Sequence, residues 1–312
     1  MTVLDAASLD VLDAYRTCEF VTLARDGAPV VWPAAVRRRA DGTLLLTTSL
    51  AFAQKALNVR RDGRVALLYS DPTGSGLDHP PQIFVGGRAV CPDDIMTGPV
   101  GAEDYWRMLF ERQPHSRSYL APGVRRLMEW YYLRLLITVT PEQVVVRPPL
   151  ASLPPSQPAN GEGPASLLLG ATQLARYPTA VLAACDKTGA PVLARTRPVA
   201  TDAGFAVGVP SDCGVMEGPA ALLVHRHDER LNHMENTLVR GELRQDGEGW
   251  LLVPGTVVEP MGSGRPLDAL RVLRRTKRAT ARYLQRRGLP RPPVQWEAFR
   301  ALATPKPKGV GS

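Results

Sequence analysis

At 312 residues and a formal net charge of +8, the chain is long enough for two domains of ordinary size, each burying its own core. Apolar runs such as Leu133 to Val139 fall far short of the ~20 residues a spanning helix needs, and the start Met1 to Asp5 lacks the basic and apolar regions of a signal peptide, so no membrane partner is expected. Cys18, Cys91, Cys185 and Cys213 are scattered without a CxxC pair, which favours free thiols in a cytoplasmic chain over a disulfide framework or a zinc site.

In chain order, Ala7 to Arg16 reads as a short helix and Phe20 to Ala24 as a strand. Arg25-Asp26-Gly27 is a hairpin turn, Pro29 to Arg37 a second strand, Ala40-Asp41-Gly42 a second turn, and Thr43 to Thr48 a third strand. Ser49 caps a helix over about Leu50 to Asn58, because its hydroxyl can accept a first-turn N–H. Strands follow at Val65 to Tyr69 and Gln82 to Val90, helices near Glu103–Arg112 and Val124–Leu133, and a strand over Leu135 to Val146. The segment Arg147 to Pro164 holds six prolines and two glycines and reads as an extended linker. A second set of strands ends in a long basic helix, Leu267 to Arg287, and the Pro/Gly/Lys-rich tail from Thr304 reads as disordered. Meander strands with short turns argue small antiparallel barrels.

The two sets of strands carry the same text. Tyr15, Thr17, Gly27-Ala28-Pro29-Val30, Gly42 and Ser49 fall without a gap on Tyr177, Thr179, Gly189-Ala190-Pro191-Val192, Gly204 and Ser211. Further on, Gly87 meets Gly241, and Tyr119-Leu120 meets Tyr283-Leu284. A unit of about 130 residues is a duplicated domain rather than a solenoid repeat. The expected units are a first barrel at 1–147, a linker at 148–164, a second barrel with the basic helix at 165–303, and a tail at 304–312.

Only the first copy keeps a plausible anion site. Thr47-Thr48-Ser49, Gln54-Lys55 and Asn58 form a strand end, a turn and one helix, offering hydroxyls and unpaired N–H groups suited to phosphate. Lys55, two turns into that helix, can fold back over the same anion as a point charge. The bland alternative is a capped surface helix with a solvated lysine. The second copy passes from Ser211 to its next strand with about six fewer residues and no lysine.

The stretches "FVTLARDGAPVVWPAAV", "DGTLLLTTS…QKALNVRRDGRVALLYSDP" and "VGGRAV" resemble the pyridoxamine 5'-phosphate oxidase-like, FMN-binding split β-barrel superfamily. The likeness is clear over residues 12–95 and weak over the second copy. It implies a mainly β fold with flanking helices, built as two tandem split barrels that form a pseudo-dimer within one chain; a further homodimer is left open. It implies that Thr48 and Ser49 contact a ribityl phosphate, that Gln54 and Lys55 close over it, and that the strand from Trp32 through Pro33 and Ala34 to Val36 lies along a flavin ring. One FMN site per chain is expected, with Arg195 and Arg197 of the second copy as candidates for its far side.

The likeness stops short of one reaction. The pyridoxamine phosphate oxidases carry an arginine on the ring strand, where this chain has Trp32, and a C-terminal Arg-x-His, where it has Val294-Gln295-Trp296-Glu297. The expectation is an oxidoreductase that moves hydride between a reduced cofactor and a small organic molecule, with no acid or base residue identified. The alternatives are a reductase using the deazaflavin coenzyme F-420 and a non-catalytic flavin or haem carrier or sensor.

Two other features stand apart from this constellation. His225 and His227 share a strand face near Asp228 and His233, but no third ligand has fixed spacing, so no metal is expected. From Arg265 to Arg291 there are ten Lys or Arg and one acid, and Arg271, Arg275, Arg278, Arg282 and Arg286 make a stripe at steps of three and four. Leu267, Leu270, Leu273 and Leu284 populate another face, expected to dock the helix on a barrel. The stripe lacks interleaved aromatics and a groove-reading motif, so nucleic acid is not the expected partner; an anionic cofactor tail is another.

Overall fold

Both halves fold into strands joined in the same order. The computed structural model describes residues 5–150, 167–232, 234–258 and 266–304. The first half runs α1 (Ala6–Ala14), β1 (Cys18–Leu23), β2 (Pro29–Ala34), β3 (Arg37–Arg38), β4 (Leu44–Ser49), α2 (Gln54–Arg61), β5 (Arg64–Tyr69), β6 (Gln82–Val90), α3 (Glu103–Arg112), α4 (Arg125–Tyr132) and β7 (Arg134–Arg147). The second runs α5 (Ala171–Leu174), β8 (Ala180–Cys185), β9 (Pro191–Thr196), β10 (Val199–Ala200), β11 (Phe205–Val207), β12 (Gly218–Arg226), β13 (Glu235–Asp246) and β14 (Gly249–Val258), followed by α6 (Pro266–Arg286) and α7 (Trp296–Ala303).

The first sheet is ordered β2-β1-β5-β6-β7-β4-β3 and the second β10-β11-β14-β13-β12-β8-β9. Substituting each strand by its repeat partner turns one order into the other, and every pair is antiparallel. The two ends of the first sheet, β2 and β3, are one stretch of chain bent at Ala35-Val36. The sheet therefore curls back on itself as a barrel split at that bend, and β9 and β10 do the same around Arg197-Pro198. These are two tandem split barrels with flanking helices. The second expected strand is thus two pieces, broken after Ala34.

A shared bulge gives the repeat a physical marker. Register slips between Gly86 and Gly87 against β7, and between Arg240 and Gly241 against β14. A Cβ on Gly87 would lie 2.3 Å from the Thr140 carbonyl oxygen, and one on Gly241 1.9 Å from that of Val253. Only glycine lets the bulged backbones approach so closely.

The barrels meet through the outer faces of their corresponding strands. Val21, Val30, Val31, Ala66, Leu68 and Phe84 pack against Val181, Ala183, Leu193, Ala221, Leu223 and Leu238. β2 lies on β12 as β9 lies on β5, and β2 on β8 as β9 on β1. Such reciprocity is the signature of a two-fold interface, here made inside one chain. Each fully buried Val, Leu or Phe contributes about 1.5–3 kcal/mol.

The C-terminal helices depart from the expected order. They return to the first barrel, whose core takes in Tyr283, Leu284, Val294, Phe299 and Ala303. Of the expected leucine face, Leu284 docks α6 on the barrel, Leu273 is half-buried, Leu270 is 55% exposed, and the side chain of Leu267 lies outside the described ones. The buried stripe is Thr276, Thr280, Tyr283 and Leu284. Thr276 can be buried because its hydroxyl bonds within the helix, at 3.0 Å from the carbonyl oxygens of both Val272 and Leu273. Short threonines let the helix lie close against the 3-10 turn Leu50–Phe52. The linker from residue 151, the tail from 305 and His233 lie outside the described residues.

Candidate functional site

β4 ends at Ser49, where the chain must turn. Ser49 Oγ accepts from the Ala51 N–H at 3.2 Å and caps the 3-10 turn Leu50–Phe52; α2 starts only at Gln54 and runs to Arg61. The cap falls on Ser49 as expected, but Lys55 stands at the second residue of the α-helix rather than two turns in.

The expected phosphate hydroxyls are already engaged. Thr48 Oγ1 donates to the Phe52 carbonyl at 2.9 Å, Ser49 Oγ donates to the Trp130 carbonyl, and Thr47 Oγ1 accepts from Arg134 at 2.8 Å. Asn58 is fully buried: its amide donates to Thr22 Oγ1 on β1 at 2.9 Å and its oxygen accepts from Gln54 at 2.8 Å. These four side chains fasten the turn and α2 to the sheet. Pro33 and Ala34 continue β2 at the sheet edge, half-buried, where the missing N–H of Pro33 is tolerated.

The groups left facing outward form a groove of about 610 Å³, within the usual size of a small-molecule site. Trp32, Phe52 and Gln54 line one side, and Arg282, Tyr283 and Arg286 of α6, with Arg287 just past its end, line the other. Lys55 Nζ sits over Trp32, 5.4 Å from the centroid of its ring system. Burial pushes the Lys55 ammonium down to about 8, Arg134 adds repulsion, and only a weak opposing pull comes from Cys18. An anion beside this lysine would favour its charged form and offset the repulsion from Arg134.

The basic helix is fixed against the groove by specific contacts. Arg60 donates to Tyr283 Oη at 3.2 Å, and Asp93 bridges Arg60 at 3.0 Å and Arg287 at 2.7 Å. Arg282 and Arg286 are exposed on the same wall. The arginine stripe was visible in the sequence; its placement over Trp32, which needs a contact between residues more than two hundred apart, was not. Trp130 packs edge-on against Phe52 at 6.0 Å, while Tyr131 and Tyr132 join Trp106 in the core.

At the corresponding turn of the second barrel a smaller cavity of about 370 Å³ remains, and its arginine, Arg147 from β7 of the first barrel, is already paired. Ser211–Cys213 is a 3-10 turn leading directly toward β12, with no helix like α2. Arg147, 7% exposed, donates to Asp212 at 2.8 Å and to the Leu193 carbonyl at 3.0 Å. A carboxylate of the chain itself occupies the arginine.

Between the barrels lies a buried polar seam. Arg195, expected to face a cofactor, is consumed there: it bonds Glu19 at 3.0 Å, Ser70 Oγ at 2.8 Å and Thr179 Oγ1 at 2.6 Å. Glu19 is wholly buried and also meets His225 Nε2 at 2.7 Å and Ser70 Oγ at 2.8 Å. Burial alone would raise its carboxyl, but Arg195, His225 and Ser70 together hold it below its ordinary value. The side chains of His225 and His227 are 3% and 1% exposed, away from the groove.

No family model and no curated protein matches the chain. Similar solved structures each cover about half of it. One is a conserved hypothetical protein of Mycobacterium tuberculosis, at 23% identity and TM-score 0.35, covering 49% of this chain and 94% of that one. Another is an F420 reductase, at 22% identity and TM-score 0.32, covering 46% and 98%. A third is the haem storage protein HutZ of Vibrio cholerae, at 15% identity and TM-score 0.32, covering 46% and 94%. At such distances these likenesses carry no function, and the split-barrel architecture stands on the chain's own strand order.

Proposed function

We propose that the groove on the first barrel binds a flavin-type cofactor, FMN, through its phosphate, and that the chain serves hydride transfer to a small organic substrate. The observation that carries this reading is the meeting of Trp32, Arg282 and Arg286 around one groove, with Lys55 set behind them over the Trp32 ring: an aromatic face beside a concentration of positive charge. Trp32 offers a surface for a planar ring, and the arginines offer forked donors for phosphate oxygens. Lys55 supplies a point charge whose proton is held loosely at neutral pH. The redox chemistry would be the cofactor's own, with the chain binding, orienting and excluding water.

The basic stripe continues past the groove through Arg278, which favours the deazaflavin with its anionic tail as the alternative cofactor. The groove walls named above hold no histidine or carboxylate, which favours a second reading, binding without turnover in a carrier or sensor, over any role for protein acid–base groups. The same walls offer haem no imidazole.

Lys55→Ala is expected to weaken FMN binding about 10- to 100-fold, the range for a lost charged contact, with the fold retained. Since Lys55 loses its proton near pH 8, wild-type affinity should fall as pH rises from 7 to about 9.5, and Lys55→Arg should flatten that profile. Calorimetric titration across this pH range tests both. An unchanged Kd in Lys55→Ala, or a wild-type profile no different from that of Lys55→Arg, would remove the phosphate from this groove.

A further inference from the structure

We propose that Asp71, His225 and His227 form a divalent transition-metal site across the seam between the two barrels, zinc being the ion to test first. It is independent of the groove and involves none of its walls.

The three side chains come from different halves. Asp71 follows β5 of the first barrel, His225 lies in β12 of the second, and His227 comes just after it. One ligand atom from each lies within 4.8 Å of the others. The Asp71 carboxylate oxygen is 3.9 Å from His225 Nδ1 and 3.7 Å from His227 Nε2. Tetrahedral zinc, with bonds of 2.0–2.1 Å, spaces its ligands about 3.3 Å apart, so the carboxylate would close by about half an ångström and the two rings by more. Two imidazoles and a carboxylate are borderline and hard donors that suit zinc and its first-row neighbours.

Each histidine already has the arrangement that readies an imidazole for a metal. His225 Nε2 lies 2.7 Å from Glu19 Oε1, and a carboxylate there takes the N–H, leaving a lone pair on Nδ1. His227 Nδ1 lies 2.9 Å from the Asp228 carbonyl, which accepts only from an N–H, leaving the lone pair on Nε2. Thr17 Oγ1, 2.9 Å from that Nε2, now donates to it and would give way to an ion.

The observation that points to a ligand is the other ring. His225 Nδ1 is buried without any hydrogen-bond partner. A buried polar atom left so has lost its water without gaining a partner, which is unfavourable. A cation shared with Asp71 and His227 would satisfy it and would pin the barrels together at the seam. The competing arrangement is an imidazolium wedged between Glu19 and Asp71, which would leave an N–H 3.9 Å from the Asp71 carboxylate and without a hydrogen bond.

Full-length chain stripped with a chelator and checked for native circular dichroism should take up one equivalent of zinc. One equivalent of cobalt(II) should give the intense visible bands of a low-coordinate site. Zinc should raise the melting temperature. Asp71→Asn and His227→Gln, which preserve shape and hydrogen bonding, should each lower metal affinity more than about 100-fold, because even outer partners of a ligand typically matter 10- to 100-fold. His79→Ala, removing a histidine 71% exposed in its side chain, should change nothing. Should either seam variant fail to fold, the wild-type stoichiometry and cobalt spectrum decide the matter. Absence of stoichiometric uptake by folded wild type overturns the proposal, as does uptake that survives both variants, or a proton resonance showing His225 doubly protonated in the presence of excess zinc.

Discussion

The turns after β4 and after β11 begin from equivalent serines and end differently. After Ser49 the chain spends a 3-10 turn and α2 on building a wall beside Trp32, and α6 arrives from the far end of the sequence to face it with arginines. After Ser211 it makes one short turn and returns to the sheet, with Asp212 answering Arg147 internally. The difference teaches how a duplicated fold divides labour. Strand order, bulge and interface are kept in both copies because each barrel needs them to close and to pack on the other. The loop after the fourth strand carries none of that burden, so it can bear a site in one copy and a salt link in the other.

The seam shows the same divergence. Glu19 aligns with Val181, and Arg195 with Pro33, so the buried ion pair occurs on one side of the pseudo-two-fold only. Arg195→Met should be the most damaging change described. It leaves a wholly buried carboxylate without its cation, at a cost of about 3–5 kcal/mol. Urea unfolding would show it, and adding Glu19→Gln should recover much of the loss. Equal stability of wild type and Arg195→Met would mean that the seam is not packed as described.

The bulge glycines probe what the copies share. Gly87→Ala and Gly241→Ala should each destabilise by about 1–3 kcal/mol, the usual cost of forcing atoms into a filled space. Because both added methyls meet a backbone oxygen, the two losses should match within error in thermal melts. A loss confined to one variant would break the equivalence of the barrels.

Strand positions were legible because alternation and turn residues are local signals: β6 and α3 fall where the sequence puts them, and the matched glycines mark the bulge in each copy. The Ser49 cap was also legible, being a contact two residues long. What the sequence hid is non-local. Thr48, Ser49 and Asn58 look like ligand groups until the Phe52 and Trp130 carbonyls and Thr22 are found beside them. α7 follows three closely spaced prolines and owes its place to Phe299, which packs on Trp106 at 4.6 Å. Arg195 meets Glu19 across 176 positions, and no spacing rule reaches that far.

The most direct test of the account is a titration of the full chain with FMN, repeated with the deazaflavin and with haem, in wild type and in the double variant Arg282→Glu/Arg286→Glu. The account predicts uptake of one flavin-type cofactor per chain in wild type and a loss of at least about tenfold, or 1.4 kcal/mol, in the double variant. Two equivalents per chain, or binding indifferent to both arginines, would contradict the division of labour between the barrels.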